Sequence, residues 1–201
     1  MGKALVCMLL ALPLAVACQV PDPDRSQEIA IRSEPLLVPV VALKRIVDSL
    51  SIAPDSIRLH VDKKSRLFHV MAGTQVLKSY PCVLGENPVG DKFMQGDRKT
   101  PEGSFTFRDK YPHREWHKFV WIDHPNAESW KRFRERKRTK AIPENASIGG
   151  EIGIHGVPDG MDHWIIQGSD WTWGCIALRN ADLDEIYPFI KPRTTIITIV
   201  P

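Results

Sequence analysis

One histidine and one cysteine stand out for the chemistry that they could do together. His155 lies in Ile152-Gly153-Ile154-His155-Gly156, and Cys175 in Trp171-Thr172-Trp173-Gly174-Cys175-Ile176-Ala177-Leu178. A cysteine attacks as its thiolate, and a neighbouring imidazole either stabilises that charge or removes the proton. Such a pair suits acyl transfer through a thioester. Gly156 and Gly174 are residues that let a backbone bend sharply and approach a substrate, and amides near Gly174 and Cys175 are candidate donors to a tetrahedral oxyanion. Spacing alone does not bring the pair into contact. Cys175 equally suits a buried small hydrophobe, and His155 a strand-end histidine bonded to a carbonyl. The remaining histidines form no His-Glu-x-x-His pair and the cysteines no Cys-x-x-Cys pair, so no metal or organic cofactor is expected.

Holding two side chains in register needs a rigid frame, and the apolar pattern predicts one made mostly of strands. After Pro54, Ile57, Leu59 and Val61 alternate with Arg58, His60 and Asp62, and strand-like runs follow over residues 67–71 and 76–84. Shorter ones cover 104–107, 119–122, 151–155 and 194–200. The first connections are too short for a crossover, which predicts an antiparallel meander. Cys82, inside one of these runs, reads as packing. Asn126 is a helix cap for a segment to about residue 140, and Asn180 for residues 181–187, ended by Pro188. Val40, Val41, Leu43, Ile46, Val47 and Leu50 recur at helical spacing, so residues 36–55 are expected to hold an accessory helix.

The 201 residues are 43% apolar and 25% charged, which excludes a disordered or collagen-like chain and fits one folded unit over residues 56–201. The net charge of +3 implies no nucleic-acid partner. Seven Lys or Arg fall within residues 131–140 against the single Glu135, so the basic character is local: a solvated surface, or a landing patch for an anionic polymer or membrane. Lys3 precedes an apolar run over residues 4–17, shorter than the roughly 20 residues that a bilayer requires, and the run reads as a secretory signal. Ala15-Val16-Ala17 resembles a cleavage site, and Cys18 directly after it also suits lipid attachment. Residues 18–35 read as a tether. The expected location is therefore exported, periplasmic or on the periplasm-facing side of a membrane.

Four segments together resemble the YkuD-like L,D-transpeptidase catalytic domains of bacterial cell-wall enzymes: Gly85-Glu-Asn-Pro-Val-Gly-Asp-Lys92, Gln95-Gly-Asp-Arg-Lys-Thr-Pro-Glu-Gly103, Ile154-His-Gly156 and Gly174-Cys-Ile-Ala-Leu178. The resemblance covers residues 57–199. It implies a mainly β, sandwich-like domain with short helices and its cysteine in a covered groove, the nucleophile being Cys175 and the base His155. A backbone carbonyl would orient the histidine, and Thr172 and Gly174 would shape the site. It further implies attack on the peptide bond after the L-centre of diaminopimelate in a peptidoglycan stem, with release of D-Ala. The acceptor would be a stem amine, the lysine of a wall-linked lipoprotein, or water. Asp97, Arg98 and Lys99 are expected along one side of the groove. Two positions depart from the family pattern: Trp173 stands where a histidine is usual, and Ala177 where a polar residue is usual. Arg179 and Asn180 are candidates for substitute polar contacts, and Trp164, Trp171 and Trp173 for groove walls. A noncatalytic wall-binding protein with the same fold is the alternative from another class.

Overall fold

The computed structural model describes residues 41–201. The signal, the Cys18 lipid site, the tether and the first residues of the accessory segment lie outside the described residues. Two sheets form the framework. The first has the order β3-β2-β1-β9-β4, built from β1 (Ile57–Asp62), β2 (Leu67–Ala72), β3 (Gln75–Pro81), β4 (Gly103–Phe105) and β9 (Ile197–Val200). The second has the order β5-β6-β7-β8, from β5 (Phe107–His113), β6 (His117–Ile122), β7 (Gly153–His155) and β8 (Ile176–Ala177). This is the mainly β, sandwich-like architecture expected, with short helices.

The antiparallel meander is present as β1-β2-β3. Ile57, Leu59 and Val61 are buried while the residues between them are half-buried, as a period of two requires when one face of a strand meets a core. Two pairings are parallel instead, β1 with β9 and β7 with β8. Parallel neighbours are distant in sequence, so no local pattern announces them. One apolar core gathers Val61, Phe68 and Ile197 of the first sheet with Phe107, Val120, Ile154 and Ile176 of the second.

The accessory helix α1 (Leu43–Ser49) is shorter than its expected span. Seven residues are too few to be helical alone in water. Leu43 and Val47 are buried in the main core, at about 1.5–3 kcal/mol each, so packing holds this helix in place. Its first amide donates to Glu185 Oε2 at 3.3 Å, a carboxylate that also accepts from Lys78 and Tyr80.

In α2 (Ala127–Arg138), Asn126 caps the start by accepting from the Ser129 amide at 3.0 Å, as expected. The basic run lies on this helix and splits by face. Arg132 and Arg136 both reach Asp91 Oδ2, at 3.0 and 2.6 Å, and donate to the carbonyls of Glu102 and Lys92. Two of the seven cations therefore clamp the loop of residues 85–103 onto the helix. On the outer face Arg138 pairs with Glu135 at 2.5 Å. A turn lysine also proves internal: Lys63 is buried and donates to the Gly90 and Thr100 carbonyls and to Glu102. A short helix α3 (His163–Ile166) precedes β8, and α4 (Asn180–Ile186) follows it. Asn180 is not the cap of α4. Arg179 occupies that position without a capping bond, since a guanidinium only donates, and the Asn180 side chain bonds to Val157 instead.

Candidate active site

The site is assembled where β7 and β8 run side by side. Their register pairs Ile154 with Ile176 and His155 with Ala177, so Cys175, immediately before β8, stands beside the start of β7. Two-residue alternation relates Cys175 to Ala177, the residue whose partner across the pair is His155.

His155 is almost fully buried, its ring near-parallel to Phe119 and packed against Trp116 and Trp171, with centroids at 6.1, 5.1 and 5.6 Å. Nδ1 lies 2.7 Å from the Gly156 carbonyl oxygen. A carbonyl only accepts, so Nδ1 carries the proton and Nε2 keeps the basic lone pair. Burial in this aromatic box pushes the imidazole pKa down to about 4, helped by nearby His113 and opposed by the Gly156 bond. The turn behind it is tightly built. A side chain at Gly156 would collide with Asn180 Oδ1 and crowd the Trp116 carbonyl. Asn180 in turn accepts from the Val157 amide at 2.9 Å and donates to the Val157 carbonyl at 3.1 Å, which secures the chain just after the histidine.

Cys175 is half-buried and borders a cleft of about 760 Å³. Burial pushes its thiol up to about 11, against the opposing influence of the Gly153 amide and Lys92. The sulfur donates to the Glu151 carbonyl at 3.5 Å and is not hydrogen-bonded to His155. Glu151 has a left-handed backbone (φ 57°), the conformation that presents its carbonyl there. Thr172 is buried and organises the bend before the cysteine, its hydroxyl accepting from the Gly174 amide at 3.1 Å and donating to the Cys175 carbonyl at 2.7 Å. At Gly174 φ is +127°, and a Cβ would sit 2.7 Å from the Lys99 carbonyl oxygen. Only glycine fits both demands.

Of the residues expected along the groove, Arg98 and Trp173 border the cleft with Cys175. Asp97 instead accepts from Lys92 and from the amides of Phe93, Met94 and Lys99. Although burial opposes it, those bonds hold its carboxyl below the usual range. Lys99 turns its ammonium to the Val89 carbonyl at 2.8 Å. Arg179 forms a two-pronged pair with Asp182. Trp171 packs on His155, and Trp164 packs on Trp171 at 5.3 Å. Lys92, Gln95, Arg108 and Glu151 also border the cleft without having been singled out. Lys92 and Gln95 were visible only as members of family segments, and the box residues Phe119 and Trp116 had no local signal. Cys82 is buried in the core, its thiol pushed up to about 12 by burial.

Acid should loosen this fold in a defined window. Burial also pushes His124 down to about 4, with Lys92 adding to the effect. Both histidines stay neutral in the fold down to about pH 4, whereas the unfolded chain protonates them near 6.5. Stability is therefore full above pH 6.5 and falls between 6.5 and 4, by about 3 kcal/mol for each histidine. Carboxylates held low, such as Asp97, add their loss only at lower pH. Thermal melts across pH 7 to 4 should show this decline, shallower in a His124→Gln variant. A flat melting temperature over that range would contradict it.

The L,D-transpeptidase catalytic domain family matches residues 56–199. Among curated proteins nothing matches this chain. Solved structures share its fold. Bd1075 of Bdellovibrio bacteriovorus aligns with a TM-score of 0.50 and 22% identity, over 72% of this chain and 48% of that one. The helical cell shape determining protein Pgp2 of Campylobacter jejuni aligns at 0.50 and 18%, over 78% and 54%. The chain spans about half the length of these structures. Since the family match runs from the start of β1 almost to the end of β9 and takes in both site strands, the chain belongs to the L,D-transpeptidase catalytic domain family.

Proposed function

We propose that this chain is an exported cysteine acyltransferase that cuts the bond between diaminopimelate and D-Ala in a peptidoglycan stem and passes the acyl group to an amine. The observation that supports the reading is the parallel register of β7 with β8, which pairs His155 with Ala177 two residues after the half-buried Cys175, together with the bond to Gly156 that fixes the imidazole tautomer. The cleft supports the substrate class. Arg108 borders it, a cation suited to a carboxylate of a diaminopimelate stem.

In the mechanism, Cys175 leaves the Glu151 carbonyl and its sulfur attacks the substrate carbonyl. Burial favours the neutral form of both groups, so no stable thiolate-imidazolium pair waits in the resting site. His155 Nε2 takes the thiol proton as the carbon-sulfur bond forms. With the Gly174 amide engaged by Thr172, the oxyanion falls to the amide of Cys175. Collapse of the tetrahedral species expels D-Ala, whose amine takes the proton from Nε2, and leaves a thioester. The acceptor amine then gives a proton to Nε2 and attacks, and the proton returns to the departing sulfur.

The test is mass spectrometry of purified disaccharide-peptides after incubation with the protein, with and without wall-linked lipoprotein. New 3-3 crosslinks support transfer to a stem amine, and joined lipoprotein supports transfer to its lysine. Loss of mass without joining would replace the reading with hydrolysis through the same thioester. No adduct and no product from folded protein would leave a noncatalytic wall-binding role.

A further inference from the structure

We propose that Trp173, braced by Arg98 and Glu86, is a saccharide subsite that stacks on a pyranose ring of the glycan carrying the stem peptide. This rests on the peptidoglycan reading above and narrows its substrate to glycan-linked stems. Trp173 is 76% exposed although it lies two residues before Cys175 and borders the same cleft. A single exposed aromatic residue means little by itself. This one is not isolated.

Three chain segments converge around it. The Arg98 guanidinium lies 5.4 Å from the centre of the Trp173 ring system and is ion-paired with Glu86. The Glu86 amide donates to the Thr172 carbonyl at 2.9 Å, the Thr172 amide to the Leu84 carbonyl at 3.2 Å, and the Asn87 amide to the Arg98 carbonyl at 3.2 Å. Arg98 itself adopts a left-handed backbone (φ 55°), a conformation uncommon for a residue other than glycine. The backbone on either side of the indole is thus tied to neighbouring segments, and the Arg98 guanidinium narrows the range of the ring, which reduces the side-chain freedom lost on binding.

The surrounding chemistry selects the ligand. A pyranose has an apolar face of C–H groups, which suits an open indole face, and a rim of hydroxyl and acetamido groups that needs both donors and acceptors. Arg98 supplies donors and Glu86 acceptors, and both side chains are more than two-fifths exposed. An apolar peptide side chain would cover this ion pair without satisfying it. A polyanion would meet the Glu86 carboxylate.

The test measures binding, so that it stands apart from turnover. In a Cys175→Ala background, calorimetry compares an N-acetylated disaccharide-tetrapeptide with the same tetrapeptide freed of sugar. The disaccharide form should bind about tenfold more tightly, and adding Trp173→Ala should bring that ratio close to one. Trp173→Phe should retain part of the preference, and Glu86→Gln should lower it. Equal binding of the two ligands in the Cys175→Ala protein, or a preference that survives Trp173→Ala, would overturn the subsite. A preference that holds while the wild-type protein forms no thioester would support the subsite and sink the catalytic reading, so the two failures are separable.

Discussion

Replacing His155 with glutamine should slow thioester formation by about 10²–10⁴-fold and remove the acid limb of the pH profile. In the wild-type protein that limb should be centred near pH 4, because the aromatic box of Phe119, Trp116 and Trp171 disfavours the charged imidazole. The sign follows from the role: the base works only when Nε2 is unprotonated, so the rate falls as pH drops through that value. Glutamine keeps a polar side chain of similar reach but removes the proton acceptor. Single-turnover mass spectrometry of the adduct from pH 3.5 to 8 measures both effects. An unchanged rate at pH 7, where the fold keeps its full stability, would remove His155 from the mechanism.

The second large effect concerns the sulfur. Cys175→Ala should abolish the covalent adduct, with a loss of about 10⁴–10⁶-fold or more in turnover, since among the described residues no other cysteine borders the cleft. Because burial lifts this thiol to about 11, alkylation of the wild-type protein should be slow at neutral pH and rise about tenfold per pH unit toward that value. Cys82 gives little background, being enclosed in the core with its own thiol near 12. Bound substrate should protect Cys175 from the reagent. An adduct that persists in Cys175→Ala would refute the assignment. Fast alkylation at pH 7 would show a site more open, or a thiolate better stabilised, than this geometry allows.

Much of the framework is legible in the chain itself. Alternation of Ile57, Leu59 and Val61 announces a strand with one buried face, and a short turn to the next run announces antiparallel pairing. Asn126 announces the start of a helix through a bond that spans only three residues. Glycines at 156 and 174 signal close backbone approach, and His155 with Cys175 signals thiol chemistry. Each of these depends on neighbours in sequence or on residue type.

What tertiary structure alone decided depends on partners far apart along the chain. The parallel pairing of β7 with β8 sets His155 beside Ala177, two residues after Cys175, although no local period encodes it. Asn180 reads as a cap, yet it bonds to Val157 on another segment. Asp97 and Lys99 belong to the same recognisable segment as Arg98, but loop amides take the carboxylate and the Val89 carbonyl takes the ammonium, while Arg98 borders the cleft. Two of the basic run's seven cations are committed to Asp91, forty-one residues before Arg132. Residue type determines what a side chain is able to do. Which of its partners it meets is set by long-range packing, because a buried polar group that goes without a bond costs free energy and most such groups therefore bond to whatever the fold brings near.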